Sequence, residues 1–457
     1  MPLNLRTFLQ ATNPGRTLFL RDNPEEDNNY YIDFSSVRGG QIIENLRDNI
    51  TLLSPDEATC ELFTGHIGCG KSTELLRLKA ELEREGFHVV YFDSGEYLEY
   101  HDVDIADILL AIAHRVIESI ERLELEEATG LERLFQGAVK VLQKEFELEE
   151  VELKPQIPNV PDVGVKANKK GFSLSFGMGK ITAKAKESSE LRKKLREYIE
   201  PRISNTIEAI NQEIIEPAIE KLQQQGKKGL VVIIDNLDRI EDNKKPWGRP
   251  QPEYVFVDRG QQLRQLKCHL VYTIPLSLRF SNDYGYLTQR FLTDPNVLPM
   301  VSIKLRDGSN YQEGIELLQQ MVLARAFPEL ESNKRLEKIT ELFDNPKTLE
   351  LLCFVSGGHI RNLLRFLYDC IRQERKLPLS GETLKQVIQK KRDQMVLAIE
   401  PYEWELLRQV VESKKVTGDD GYKILIRSMF VYEYRDAEGS WFDINPILEG
   451  AEELNRT

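Results

Sequence analysis

The stretch "LFTGHIGCGKSTEL", residues Leu62 to Leu75, decides how the rest of the chain is read. Gly65, Gly70, Lys71 and Ser72 satisfy the pattern G-x-x-x-x-G-K-[ST], with a further glycine at Gly68. Leu62 and Phe63 close an apolar run of strand length, and Leu75, Leu76, Leu78 and Leu82 follow at helical spacing. The order is strand, loop, helix. A triphosphate needs several backbone N–H groups converging on it, and side chains obstruct that approach. Glycines let the chain wrap the phosphates, and a helix starting near Gly70 adds its N-terminal donors and the positive end of its dipole. Gly65, His66, Ile67, Gly68, Cys69, Gly70, Lys71, Ser72 and Thr73 then make up the binding loop. Lys71 is expected to reach the β- and γ-phosphates, and the Ser72 hydroxyl to bind Mg²⁺.

Around this loop lie 457 residues, more than one typical domain. Charged residues make up 30 % of the chain and the net charge is −13, which disfavours a protein that coats nucleic acid or an anionic membrane. Cys60, Cys69, Cys268, Cys353 and Cys370 include no C-x-x-C pair, as expected of a reducing cytosol without a disulfide frame or zinc site. The histidines are equally dispersed and read as packing or surface residues. The N-terminal segment has no long apolar core, and nothing approaches the roughly eighteen apolar residues of a membrane span. The expectation is a cytoplasmic protein with no membrane partner.

Further along, "FHVVYFDS" (Phe87 to Ser94) reads as a strand and Asp104 to Leu123 as an amphipathic helix. After the prolines of "PQIPNVPDVG", the stretch from Val163 to Lys186 alternates apolar and polar residues and predicts a hairpin or three short strands. Its lysines suit the blunting of a strand edge or protein docking better than nucleic acid, because only Phe172 and Phe176 offer stacking. Long helices follow from Ser189 to Gln225.

"GLVVIIDNLDRI" (Gly229 to Ile240) is the second decisive stretch. Leu230 to Ile234 are apolar on both faces, as in a parallel strand covered by helices on each side. Asp235 emerges at its C-terminal end, facing Ser72, and is expected to hold Mg²⁺. Hydrolysis also needs a group to orient water. Asn236 is no carboxylate, so Asp238 is the nearest candidate; its structural alternative is a salt bridge to Arg239 or a helix cap. Strands at Cys268 to Pro275 and Val297 to Ile303 complete the sheet. Asn310 to Met395 reads as helical, and the tail as two helices and two strands around "DAEGS". From Val396 onward there are seven Lys and Arg against thirteen Asp and Glu, the wrong sign for phosphate contacts.

Together, "GHIGCGKST", "VVIIDNLD", "VYTIPLSLR", "YLTQRF" and "GGHIR" resemble, in order, the P-loop ATPases of AAA+ and STAND type, including NACHT, KAP-like and origin-recognition-like members. The resemblance implies an α/β P-loop NTPase core, a parallel sheet covered by helices on both faces, followed by a helical lid and a small winged-helix-like α+β domain. Its divisions would be an N-terminal extension (1–35), the core (36–305, with an insertion at about 124–225), the lid (306–395) and the winged-helix-like part (396–457). It further implies that Thr273 senses the γ-phosphate and that Arg361 contacts the phosphates from the lid. Arg290 would be an arginine finger, with Arg279 as a rival, and Val37 and Arg38 would lie near the adenine. No N-K-x-D motif marks guanine, so ATP with Mg²⁺ is the expected ligand pair. The expected function is a Mg²⁺-dependent ATPase that switches the lid and tail within a regulatory, signalling or defence assembly, with a protein partner or self-association. A DNA-associated ATPase, or a nucleotide-stabilised interaction module with little turnover, stands as the alternative.

Overall fold

The computed structural model describes residues 4–18, 28–120, 179 and 181–455. Helix α1 (Leu5–Ala11) opens the chain, capped by the Asn4 side chain. The sheet is built from β1 (Cys60–Gly65), β2 (His88–Asp93), β3 (Leu230–Asp235), β4 (His269–Thr273) and β5 (Asn296–Leu298). Its order is β2-β3-β4-β1-β5, with every neighbour parallel. Because side chains alternate along a strand, Val231 and Ile233 enter one core with Leu75 and Leu78, while Val232 and Ile234 enter the other with Ile108 and Ile112. Helix α2 (Lys71–Arg84) covers the first face and α3 (Ile105–Ser119) the second. A strand buried on both faces has no place for polar residues until its end, so Asp235 is the first carboxylate that β3 can carry.

The lid packs the helices Gln312–Ala326 and Pro346–Val355 with α4 (Ile360–Glu374) and the helix Gly381–Val396. Phe8 of α1 is buried in this lid core, so the start of the chain folds onto a segment more than three hundred residues away. At the other end, α5 (Pro401–Ser413) and α6 (Asp420–Arg427) lead into the antiparallel hairpin β6 (Val431–Asp436) and β7 (Gly439–Ile444). Leu425 and Ile426 of α6 share a core with Leu276 and Val297 of the sheet domain. Arg427 adds an ion pair to Asp242 at 3.3 Å.

Two expectations are corrected. Most of the Lys-rich stretch from Val163 lies outside the described residues, but residues 181–187 are helical, not part of a hairpin. Ile181 and Ala185 sit four apart and both enter the core beside α3, which is helical spacing read too locally as alternation. The fifth strand is shorter than Val297 to Ile303, because the chain beyond Leu298 leaves the sheet to bond elsewhere. Met300 N–H donates to Glu433 of the hairpin (2.9 Å), Val301 N–H to Gly358 of the lid (3.3 Å) and Ser302 N–H to Val37 (3.1 Å).

Candidate nucleotide site

The loop between β1 and α2 is shaped by backbone that only glycine adopts readily. Gly65 has φ 153° and Gly68 has φ 89°. A Cβ on Gly65 would overlap the Leu298 carbonyl, and one on Gly68 would stand 2.9 Å from the His359 ring. Helix α2 has Gly70 at its N-cap with no side chain capping it, so its first-turn N–H groups stay available to an anion. Lys71 is buried, and its Nζ donates to the carbonyls of Gly65 (2.7 Å) and His66 (2.8 Å) while pairing with Asp238 Oδ2 at 3.0 Å. The alternative offered for Asp238, a salt bridge to Arg239, is not formed. The two are neighbours in a short 3₁₀ turn, Leu237–Arg239, where successive side chains point apart.

At the end of β3, Asp235 is held on every side. Tyr91 donates its hydroxyl to Oδ2 (2.7 Å), and Asn236 N–H donates to Oδ1 (2.7 Å). The Ser72 hydroxyl stands near enough to this carboxylate to favour its charged form. Burial pushes the Asp235 pKa up, as does the charge of Asp238, while the Ser72 hydroxyl and the bond from Tyr91 pull it down. Asn236 takes a left-handed conformation (φ 63°) and donates its Nδ2 to Asp93 Oδ2 at 2.7 Å. Tyr91 and Asp93 are alternate residues of β2, and Asp93 lies in register with Asp235. One edge strand therefore braces two successive residues of its neighbour. The contact of Ser72 with Asp235 brings together the hydroxyl and carboxylate that a Mg²⁺ ion on a nucleotide would share, so the residues fit that ion.

The lid closes on the same loop. His359 caps α4 by accepting the Asn362 N–H at Nδ1 (3.0 Å), so Nε2 carries the proton and donates to the Ile67 carbonyl (2.8 Å). Arg361 N–H donates to the Gly68 carbonyl (3.1 Å). Burial is the main cause that brings the His359 pKa down to about 4. The hairpin closes from another direction: Glu433 N–H donates to His66 Nε2 at 2.9 Å, and the Tyr432 ring lies beside both histidines.

A cavity opens between these parts. Lys71, Ser72, Thr73, Asp238 and Arg361 line it, as expected residues, along with Ile67, Gly68 and Gly70. Residues not put forward as site residues by the sequence line it too: Asn236, Arg239 and the segment Pro14 to Thr17. The last of these carried no signal beyond a Pro-Gly turn. Other candidates lie elsewhere. Thr273 is fully buried, donating to the Ile234 carbonyl (3.1 Å) and accepting from Leu237 N–H (2.9 Å), so its hydroxyl fixes the turn after Asp235. Arg38 grips the loop through the Cys69 carbonyl (2.6 Å), and Val37 is buried against the lid. Cys69 is buried with its Sγ 3.6 Å from the Leu298 carbonyl. Arg290 is exposed on the helix Tyr284–Phe291, where among the described residues its side chain bonds only Gln261 Oε1, at 3.5 Å, and Arg279 pairs with Glu433 of the hairpin.

Comparison with known proteins agrees on the core. None of the curated proteins matches the chain. Among solved structures, the ORC2 protein of Aeropyrum pernix is 12 % identical, with 90 % of this chain and 91 % of that one covered at a TM-score of 0.41. A Walker-type ATPase of Pyrococcus abyssi is 12 % identical, with 97 % and 99 % covered at 0.42. Residues 40–245, the segment that holds the Lys71 loop and the Asp235 strand, match the KAP family P-loop domain.

Proposed function

We propose that this protein is a Mg²⁺-dependent ATPase whose nucleotide state sets the arrangement of its lid and C-terminal hairpin. The observation that supports it is the convergence on one loop: the lid reaches Ile67 and Gly68, and the hairpin reaches His66. A ligand shifts such an arrangement only as far as its contacts differ between the two states. Arg361 supplies such a difference, since it belongs to the lid and faces the phosphate cavity.

ATP binding draws Lys71 onto the phosphates and away from Asp238, leaving that carboxylate free to orient water. Asp235 and Ser72 would hold a Mg²⁺ ion, which when bound would supply neutralising charge to the phosphates. ATP and ADP are the expected ligands, and a protein partner or a second copy the expected reader of the switch. Nucleic acid is disfavoured, because α6, the helix that a winged-helix domain would place in a groove, buries Leu425 and Ile426 against the chain's own core. Among the described residues, no helix is long and apolar enough to cross a membrane.

The test measures ATP binding, turnover and hydrogen exchange of the 431–444 hairpin without nucleotide, with ADP and with ATP. Equal exchange in all three states sinks the switch. Asp238→Asn should lower turnover by about 10²-fold without weakening ATP binding. Turnover at the wild-type rate would leave Asp238 as the partner of Lys71 alone.

A further inference from the structure

Arg239 and Arg361 line the same cavity from different parts of the molecule, one from the turn after β3 and the other from the first turn of α4. Among the described residues, neither guanidinium forms an ion pair or a side-chain hydrogen bond. The acid nearest in sequence to Arg239 is Asp238, and Lys71 has taken it. Burial, and then the like charge of Arg239, lower the Arg361 pKa, so the two cations act on each other across the cavity. Two arginines that repel, and that no carboxylate among the described residues pairs with although Asp238 stands in the same cavity, define a place where a multiply charged anion is stabilising, and guanidinium geometry suits phosphate oxygens.

We propose that Arg239 is a second, same-chain phosphate ligand, facing Arg361 across the cavity and contacting the terminal phosphate of a bound nucleoside triphosphate. The proposal rests on the ATP reading above. It gives each subunit a complete set of cations, so the site needs no arginine from a neighbouring copy. It also makes the terminal phosphate a bridge between the β3 turn and the lid, since it alone brings both guanidinium groups into contact with one anion.

The experiment is calorimetric titration of wild type, Arg239→Gln and Arg239→Lys with ATP and with ADP, alongside melting temperatures. Arg239→Gln should weaken ATP at least about tenfold while ADP stays within about twofold, and Arg239→Lys should recover part of the loss. Arg239 is exposed, so both variants should melt like the wild type. Unchanged ATP affinity in Arg239→Gln overturns the proposal, and equal losses for ATP and ADP overturn its assignment to the terminal phosphate. Wild type that binds neither nucleotide brings down the ATP reading, a result distinct from wild type that binds and a variant that matches it.

Discussion

The two strand ends that make the site are finished to different degrees. At the end of β1, the N-terminal N–H groups of α2 are uncapped and Lys71 makes do with carbonyls of its own loop and one borrowed carboxylate. At the end of β3, Asp235 and Asn236 are fixed by protein partners, and Thr273 at the end of β4 holds the Leu237 N–H of the same turn. The difference follows from what each end must receive. Donors awaiting an anion have to be left open, whereas a metal-holding carboxylate works best when it is oriented beforehand. The loop is a set of donors left uncapped by side chains, and the strand end is a braced acceptor.

The strongest way to break this contrast is Lys71→Ala. It should weaken ATP binding beyond about 10²-fold, because a charge-assisted contact is lost. It should also cost about 3 kcal/mol of stability, since Asp238 is left buried without its partner. Chemical denaturation checks the second effect, and Lys71→Ala with Asp238→Asn should regain stability but not binding. A single mutant as stable as wild type would mean that the pair contributes nothing to the fold.

Acid should act next, on the lid side of the loop. The folded pKa of His359, about 4, lies below its ordinary 6.5, so as pH falls the unfolded chain takes up the proton first. Its contribution is therefore complete above pH 6.5 and is lost between 6.5 and 4, amounting to about 3 kcal/mol. Melting profiles over that window should fall less steeply for His359→Asn, which keeps a capping side chain. Parallel profiles for the two proteins would deny His359 this role.

The smallest effect sharpens the braced end. Tyr91→Phe removes one hydrogen bond to Asp235 and should reduce the Mg²⁺-dependent tightening of ATP by roughly tenfold, leaving metal-free affinity as it was. Titrating ATP with and without Mg²⁺ separates the two. If the ratio stays fixed, the Tyr91 hydroxyl plays no part in orienting the carboxylate.

How much of this could be read from the sequence follows the same division. The β1 loop was legible because its chemistry is carried by adjacent residues, and Leu230 to Asp235 because a doubly buried strand has an unmistakable pattern. The parallel sheet and the order of the C-terminal elements followed from similar local rules. Tyr91, Asp93 and Arg239 were not legible, since each acts across a strand or a turn, and nothing near them in sequence signals the partner. The segment Pro14 to Thr17 reaches the cavity only because Phe8 anchors α1 in the lid. The helix at 181–187 was missed because seven residues of alternating size mimic a strand until the core beside them is known.

Glu433 gives the molecule a schedule. Its N–H serves His66, in the loop, and its carbonyl serves Met300, at the exit of β5, so the backbone of one residue ties together segments 367 and 133 residues earlier. During synthesis the loop leaves the ribosome long before the residue that completes its surroundings, and contacts of such separation form late. Until the hairpin arrives, a ring nitrogen and an amide that are destined for burial must stay in water, since enclosing either without its partner costs about 1–3 kcal/mol. The nascent chain therefore carries the phosphate motif for most of its elongation without the finished site, and the hairpin's docking marks the moment when the site is sealed.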